Sequence, residues 1–317
     1  MEAVLQWGLD FIRTIQGDRN PALVLFMRAV STAGSAGAYM LLIALVYWCI
    51  DEKKGLRLGI TLLVSAWINL ALKFILDQPR PFFPGFAPDI ALVPETLGGL
   101  PSGHAQNSLV ICFILASWGK KAWHFAAAAA FCLLMAFSRI YLGVHFPTDI
   151  LGGWLVGGIV LCAYFFAGRH IEAHLTVGAP RAGLLSVAAL SFAMILYRPL
   201  PEMLLPAGMI LGMGIGFYLC ARHVGLSPVL LSAKPGFSQC LILLARFASG
   251  AATTAVIFIL CEKLTNALQY LHNTDLFAFL RFAVIAVWIT AGAPYVFRLL
   301  RLLPGKENRN TETTEQP

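Results

Sequence analysis

Two histidines, three cationic side chains and a suitably spaced aspartate, Asp149, lie in three short segments at the ends of strongly apolar stretches. The segments are 73–81 (KFILDQPRP), 101–104 (PSGH) and 138–149 (SRIYLGVHFPTD). An ionisable side chain beside an apolar segment of membrane length is costly unless it has a partner or a function. Together, these residue types could bind a phosphate group and attack its phosphorus atom.

The first segment carries two cations close to the end of an apolar helix. Lys73 lies one turn before the end of an apolar helix that Pro79 and Pro81 terminate, because proline cannot continue the hydrogen-bond ladder. Arg80 follows in the extended conformation of a residue that precedes proline. Both side chains are therefore expected near one membrane surface, where a guanidinium grips two phosphate oxygens and an ammonium adds a point charge. Taken alone, the pair favours a simpler interpretation, in which both cations extend to the interface without a ligand.

The second segment opens the next apolar run. Its backbone N–H groups are predicted at a helix N-terminus, which binds anions by geometry and dipole. Ser102 can donate a hydrogen bond, and Gly103 allows a ligand to approach the backbone closely. His104 could protonate a departing alkoxide near neutral pH. The alternative is an ordinary helix start that is capped by the serine.

The third segment pairs a histidine with a carboxylate. Arg139 ends one apolar run, and His145 and Asp149 begin the next. A neutral imidazole can attack phosphorus, and a carboxylate on its other nitrogen fixes the tautomer and stabilises the cation that forms. Asp149, four residues after His145 across a proline turn, can reach it. In the alternative, Asp149 only caps the following helix and His145 is a loop residue.

The composition is that of a membrane protein. The chain has 317 residues, of which 58% are hydrophobic and 12% charged, whereas about a quarter are charged in a soluble domain. Apolar runs of about 17 to 25 residues, long enough to cross a bilayer, recur along the chain. The chain has a net charge of +7, but its basic residues are scattered over short loops and form no basic stripe. This distribution argues against a nucleic-acid partner.

The lengths of the apolar runs, and the Gly, Pro and charged residues that interrupt them, predict an all-α, polytopic transmembrane helical bundle. A first block of spans is predicted near 35–50, 56–76, 104–119, 122–141 and 149–168, and a second near 183–198, 203–220, 237–260 and 277–298. The predicted domains are an N-terminal segment (1–34), a catalytic core (35–168), a C-terminal transmembrane block of unknown role (169–303) and a disordered tail (304–317).

The N-terminal segment fits two placements. Residues 20–35 could form a further span, short or re-entrant. Alternatively, residues 1–28, with Trp7, Phe11 and Phe26 among polar residues, could lie along the membrane interface as an amphipathic helix. The sequence does not choose between the interfacial and the re-entrant placement.

The distribution of Lys and Arg between alternate loops predicts the orientation, because the cytoplasmic side carries the excess. One side collects Lys53, Lys54, Arg57, Lys120, Lys121, Arg169, Arg181, Arg222, Lys234, Arg298, Arg301, Lys306 and Arg309. Apart from the motif residues, the other side has Arg198, Lys263 and Arg281. All three motifs fall on the poorer side, so the site is expected to face away from the cytoplasm.

Two further features are open to more than one interpretation. The loop 82–100 between the first two motifs is long, rich in proline and largely apolar. A lid or a lipid-contacting wall is favoured, with ordinary loop packing as the alternative.

Arg246 is predicted inside a span of the second block, without an acidic partner in a neighbouring span. An intramembrane arginine suggests function by default, and bonding to backbone carbonyls is an equal alternative.

In order and spacing, K-x6-R-P, P-S-G-H and S-R-x5-H-x3-D, the three segments resemble the signature of the type 2 phosphatidic acid phosphatase family, which also includes the vanadium haloperoxidases. The resemblance covers about residues 35–168. It implies a type 2 phosphatidic acid phosphatase-like core and a metal-independent hydrolase that needs no cofactor. The helices from about residue 183 onward have no motif match and would be about four additional transmembrane helices.

The resemblance also implies roles by position. His145 would be the nucleophile that forms a phosphohistidine, Asp149 its orienting partner and His104 the general acid for the leaving oxygen. The phosphoryl oxygens would be held by Lys73, Arg80, Ser102, Gly103 and Arg139. No position of this set departs from the pattern.

The expected function is that of an integral membrane phosphatase acting on a lipid phosphate or diphosphate at the non-cytoplasmic surface, in a bacterial inner (plasma) membrane with the site facing the periplasm or exterior. Candidate substrates are phosphatidate, phosphatidylglycerol phosphate, undecaprenyl diphosphate and a sphingoid phosphate, since the motifs recognise the phosphate and not the tail. A lipid phosphotransferase and a transporter with a vestigial phosphate site stay open as alternatives. Membrane lipids are the expected partners, and the oligomeric state is open.

Overall fold

The structure is a computed structural model that describes residues 2–83, 85–173, 180–197, 201–224, 236–268 and 274–303. Within those ranges the regular elements are helices, as the sequence predicts. The predicted disordered tail, 304–317, lies outside the described residues, as does part of the polar stretch between the two predicted blocks.

The helices of the first part of the chain are α1 (Glu2–Gln16), α2 (Pro21–Ala33), α3 (Ala36–Cys49), α4 (Glu52–Leu76), α5 (Gly103–Gly119), α6 (Ala122–Tyr141) and α7 (Pro147–Ala173). Those of the second part are α8 (Pro180–Tyr197), α9 (Pro201–His223), α10 (Phe237–Leu268), α11 (Thr274–Val287) and α12 (Ala293–Leu299), with a π-helical segment, Trp288–Gly292, that joins α11 to α12. Every span predicted from the sequence coincides with a helix or, at the C-terminal end, with this continuous helical run.

The lengths of these helices agree with a protein that spans a membrane. Among the described residues, six helices are long and apolar enough to cross a bilayer, or seven if the pair α2 and α3, bent by 49°, forms one broken span. Three of the six, namely α9, α10 and the run 275–299, belong to the C-terminal block, and α8 is a shorter apolar helix. The prediction of about four extra C-terminal helices is therefore confirmed.

The chain divides into two compact units. The first comprises Met1–Met40 and Thr61–His170, and the second comprises Leu41–Ile60 and Ile171–Pro317. The three motifs all lie in the first unit. Residues 41–60 belong to the second unit. The lengths of the apolar runs and the residues that interrupt them had grouped this segment with the first block of spans.

The N-terminal helices pack inside the first unit. One face of α1 buries Leu5, Leu9 and Ile12 against Ile90 of the long loop and against Phe146. Aromatic residues on its other face, Trp7 and Phe11, are exposed. The amphipathic helix α1 ends at Gln16 and so covers only the first part of the interfacial alternative, residues 1–28, whereas α2 forms the bent pair with α3. The placement of both helices in the membrane stays a prediction.

In the second unit, Arg246 is buried and bonds to backbone carbonyls. Its Nε and Nη2 atoms donate to the carbonyl oxygen of Leu302 at 2.9 and 2.7 Å, and Nη1 donates to that of Trp48 at 3.5 Å. These carbonyls follow the last turns of helices, where the helix itself provides no N–H partner. The carbonyl interpretation of this intramembrane arginine is confirmed.

Candidate active site

His145 and Asp149 lie at the start of α7 and contact each other directly. The Nδ1 atom of His145 lies 3.1 Å from Oδ2 of Asp149, and both side chains are buried. The turn that leads to this pair requires a glycine. Gly143 has a φ of +71°, and a Cβ at that position would collide with the carbonyl of Ile90.

Asp149 also caps its own helix. Its Oδ2 atom accepts a hydrogen bond from the backbone N–H of Phe146 at 3.0 Å, which is the return contact of a capping box. Its Oδ1 atom accepts a bond from Nε2 of Gln78 at 2.8 Å. The two interpretations drawn from the sequence were posed as alternatives, but the structure combines them: one carboxylate both caps α7 and binds His145.

Arg80 lies against the other nitrogen of the imidazole. Its Nη1 atom is 3.3 Å from Nε2 of His145 and donates to the carbonyl of Val144 at 2.8 Å. Its Nε atom donates to the carbonyl of Leu97 at 2.5 Å. The side chain is buried, so the interpretation in which Arg80 merely extends to the interface is wrong.

The surroundings of His145 favour the neutral imidazole. Burial, and then the positive charges of Arg80, Lys73 and Arg139, hold the pKa of His145 well below its usual range. A carboxylate at Nδ1 favours the tautomer that has its proton on that nitrogen. The lone pair is then on Nε2, the atom that faces Arg80 and the cations.

Lys73 is likewise buried and does not extend to the membrane interface. Its ammonium group donates to the carbonyls of Gly98 and Gly99, the second at 3.0 Å. On α4, Lys73 follows Asn69 and Ser65 at intervals of four residues, which places all three on one face of the helix.

Those two polar residues hold the start of α5. Asn69 Nδ2 donates to the carbonyl of Pro101 at 3.2 Å and to Oε1 of Gln106 at 2.8 Å. Gln106 in turn donates to the carbonyl and the hydroxyl of Ser65 at 2.7 and 2.9 Å. This network was not predicted from the sequence. The signal that could have indicated it was the row of polar residues, spaced by four, within an apolar span.

The PSGH segment lies beside the His–Asp pair. The backbone N–H of Ser102 donates to the carbonyl of Asp149 at 2.9 Å. Ser102 occupies the N-cap position of α5 without a capping hydrogen bond from its side chain, so its interpretation as an ordinary cap is wrong. Within the described part of the chain, its buried Oγ atom has no hydrogen-bond partner. Gly103 begins α5, and a Cβ there would lie 3.0 Å from Oδ1 of Asn69.

Glu95, which the sequence analysis did not select, lies among the cations. One of its carboxylate oxygens is 3.4 Å from Nη2 of Arg80, and the other accepts a bond from Nη2 of Arg139. The available signal was an acidic residue in a largely apolar loop shortly before the PSGH motif. Because a carboxylate bridges the two guanidinium groups, the pocket can hold an anion at this place.

Arg139 completes the cluster from the end of α6. Its Nη1 atom donates to the hydroxyl of Ser31 at 2.5 Å. Its buried Nε atom has no hydrogen-bond partner among the residues that the structure describes. A buried donor without a partner loses its hydration without compensation. The Nε atom of Arg139 and the hydroxyl of Ser102 are therefore two polar groups that a bound oxyanion would satisfy.

The fold and this site define a polytopic helical membrane protein with a buried anion pocket beside a neutral histidine. The PAP2 superfamily model matches residues 54–170, which include all three motifs. A second model, described as PAP2 superfamily phosphatase, transmembrane extension, matches residues 205–308. The chain belongs to the PAP2 superfamily, the type 2 phosphatidic acid phosphatases. PAP2 family phosphatases are phosphoric ester hydrolases.

Several known proteins are similar to this chain. Lipid phosphate phosphatase delta of Arabidopsis thaliana is 24% identical over 209 residues, 62% of this chain and 50% of the relative, so the match spans half of that protein. Sphingosine-1-phosphate phosphatase 2 of Mus musculus is 24% identical over 87% of each chain. The crystal structure of a transmembrane PAP2 type phosphatidylglycerolphosphate phosphatase from Bacillus subtilis covers 54% of this chain and 89% of its own, with 24% identity and a TM-score of 0.47.

Proposed function

We propose that the protein hydrolyses the phosphate monoester, or the terminal phosphate of a diphosphate, of a membrane lipid. The observation that carries this proposal is the buried His145–Asp149 pair, whose free imidazole nitrogen faces a pocket of cations that already holds a carboxylate. Phosphoryl transfer requires mainly positioning of the reactants and compensation of the charge on the equatorial oxygens. These side chains supply both.

In the proposed reaction, Nε2 of His145 attacks phosphorus and the bond from phosphorus to the lipid oxygen breaks. His104, in its protonated imidazolium form, donates a proton to that oxygen and becomes neutral. The leaving group is the lipid alcohol, or the lipid monophosphate when the substrate is a diphosphate. Asp149 stabilises the positive charge that the imidazole acquires when the phosphohistidine forms. A water molecule then attacks phosphorus and gives its proton to His104, the bond to Nε2 breaks, and inorganic phosphate is released. This restores both histidines.

The phosphoryl oxygens would be held by the cations and by the start of α5. Arg80 contacts His145 and is joined through Glu95 to Arg139. Lys73 adds a third positive charge that acts on the same imidazole, and the hydroxyl of Ser102 and the N–H of Gly103 provide neutral donors. Preorganised donors of this kind stabilise the charge that develops in the transition state, and removal of one is expected to lower kcat about a hundredfold. No divalent cation is needed in this scheme, because the protein's own cations neutralise the oxygens.

The side of the membrane is proposed from the charge of the loops. All three motifs belong to the side that is poor in Lys and Arg, which supports a site on the non-cytoplasmic surface of an integral membrane protein. In a bacterial inner membrane this is the periplasmic surface. The similar plant and mouse proteins are named for lipid phosphates, which supports the same class of substrate here.

Phosphate release in a chelator tests this function. The purified protein in detergent with EDTA is expected to release inorganic phosphate from at least one of phosphatidate, phosphatidylglycerol phosphate, sphingosine 1-phosphate and undecaprenyl diphosphate. Loss of activity in EDTA that added Mg²⁺ restores would contradict the metal-independent mechanism. Absence of release from every lipid would contradict hydrolysis. Transfer of labelled phosphate to an acceptor lipid would instead indicate a phosphotransferase.

Replacement of Glu95 by Gln is expected to strengthen inhibition by vanadate roughly tenfold, or about 1.4 kcal/mol. The carboxylate bridges Arg80 and Arg139, and an incoming oxyanion must displace it from both. The measurement is the vanadate inhibition constant of the phosphatase. Asp89→Asn is the matched control, because Asp89 lies in the same loop with an exposed side chain. Weaker inhibition of the Glu95 variant would show that the carboxylate organises the cations and does not compete with the ligand.

A further inference from the structure

The C-terminal end of α2 contacts two of the predicted catalytic side chains. The hydroxyl of Ser31 accepts a hydrogen bond from Nη1 of Arg139 at 2.5 Å. The imidazole of His104 packs beside the same helix end, where its Cδ2 atom lies 3.0 Å from the position of a Cβ added to Gly34. Ser31 is buried, with 7% of its surface exposed. It lies outside the three sequence motifs and outside the range 54–170 that the PAP2 model matches.

The end of a helix suits this contact physically. The last carbonyls of a helix have no N–H partner within the helix, and they carry the negative end of its dipole. Ser31 lies in the last turn of α2, and its carbonyl accepts the N–H of Gly34 at 3.0 Å. The end of α2 therefore presents an acceptor to Arg139, and its dipole favours positive charge beside it.

The position of α2 is fixed closely on both sides of Ser31. On one side, a Cβ added to Gly34 would lie 2.6 Å from Cε of Met135 and 3.0 Å from Cδ2 of His104. On the other, Arg28 donates to the carbonyl of Leu92 at 2.5 Å. These contacts leave α2 little freedom to move relative to the imidazole.

We propose that the end of α2 is part of the active site, with Ser31 as a positioning residue for Arg139 and Gly34 as one for His104. The hydroxyl of Ser31 orients the guanidinium toward the phosphoryl oxygens. The backbone at Gly34 leaves room for the imidazole of His104 and fixes the side from which it faces the leaving oxygen. This inference rests on the proposed function and adds an element that precedes the matched range.

Ser31→Ala tests the hydroxyl. The variant is expected to weaken vanadate inhibition roughly tenfold and to raise KM for the lipid phosphate, because Arg139 loses the acceptor that orients it. Ser31→Thr keeps a hydroxyl and is expected to restore most of the affinity. Thr32→Ala is the matched control, since the neighbouring hydroxyl bonds only to the carbonyl of Arg28 on its own helix. Vanadate inhibition that is unchanged in Ser31→Ala would overturn this role.

Gly34→Ala tests the contact with His104. The added methyl group is expected to displace the imidazole and to lower kcat for the lipid phosphate roughly tenfold more than kcat for p-nitrophenyl phosphate. The reason is that a nitrophenolate leaves without a proton, whereas a lipid alkoxide requires one. Gly37→Ala is the matched control, because an added Cβ there meets open space apart from the hydroxyl of Ser35 at 4.0 Å. Equal loss on the two substrates would overturn the positioning of His104.

The controls separate failure of this inference from failure of the proposed function. If the wild type, Thr32→Ala and Gly37→Ala release no phosphate from any substrate, the proposed function is wrong. If they are active and both Ser31→Ala and Gly34→Ala match them in every readout, the function stands and α2 has no part in the site. The elution profile of each purified variant in detergent shows whether it is folded.

Discussion

Replacement of His145 by Asn is expected to abolish phosphate release, with a loss in kcat on the order of 10⁶. An amide cannot form the covalent bond to phosphorus, although it is similar in size to the imidazole and can still donate to Asp149. The reaction would then lack its nucleophile, while the cations that bind the phosphate remain. The variant should therefore still bind vanadate. The measurements are phosphate release and the trapping of labelled phosphate on the protein during turnover.

His223→Asn is the matched control for this experiment. His223 is exposed at the end of α9, in the second compact unit, and its replacement should leave turnover and trapping unchanged. The wild type should carry a label that is stable in base and lost in acid, as expected of a phosphorus–nitrogen bond. Substantial turnover by the His145 variant in a washed preparation would exclude the covalent mechanism.

Replacement of Asp149 by Asn is expected to lower kcat by about 10³ to 10⁴, because the carboxylate determines which imidazole nitrogen carries the proton. The amide oxygen can take the place of Oδ1 and accept the hydrogen bond from Nε2 of Gln78, which is 2.8 Å long in the structure. The NH₂ group then faces Nδ1 of His145 and favours the tautomer that has its proton on Nε2. The atom that should attack phosphorus would no longer have a free lone pair.

Asp77→Asn is the matched control for the Asp149 variant. Asp77 is an exposed aspartate just after α4, with a φ of 41° that asparagine also tolerates. Its replacement should leave kcat unchanged. The measurements are kcat and thermal unfolding in detergent. A loss of less than tenfold in kcat for the Asp149 variant, with lowered thermal stability, would reduce the role of that carboxylate to capping α7.

The sequence predicted well those features that depend on neighbours along the chain. The spans were set by runs of apolar residues and ended by proline, glycine and charge, and every predicted span coincides with a helical run. The pairing of His145 with Asp149 follows from a separation of four residues at a helix start, and the two side chains lie 3.1 Å apart. Local patterns of this kind allow few conformations, so they can be interpreted without knowledge of the rest of the molecule.

Features that depend on residues far apart in the chain were missed. Glu95 joins Arg80 to Arg139, and Ser31 contacts Arg139 across a sequence separation of 108 residues. No periodicity relates such positions, because their contact depends on how helices pack and on where a long loop lies. Two alternatives to phosphate binding, namely extension of Lys73 to the interface and an ordinary cap by Ser102, were wrong for a related reason. Each was interpreted from its own segment, whereas the surrounding elements determine its burial and its partners.

The sequence by itself determined a helical membrane protein and the three segments that bring a histidine pair and cations to helix ends. It did so because apolar length, proline positions and short spacings act locally on the backbone. The tertiary structure alone decided that an acidic side chain occupies the cation pocket and that the end of α2 reaches Arg139 and His104. Those contacts arise only when distant segments are brought together, since the charges and carbonyls buried there must find partners among whatever elements pack beside them.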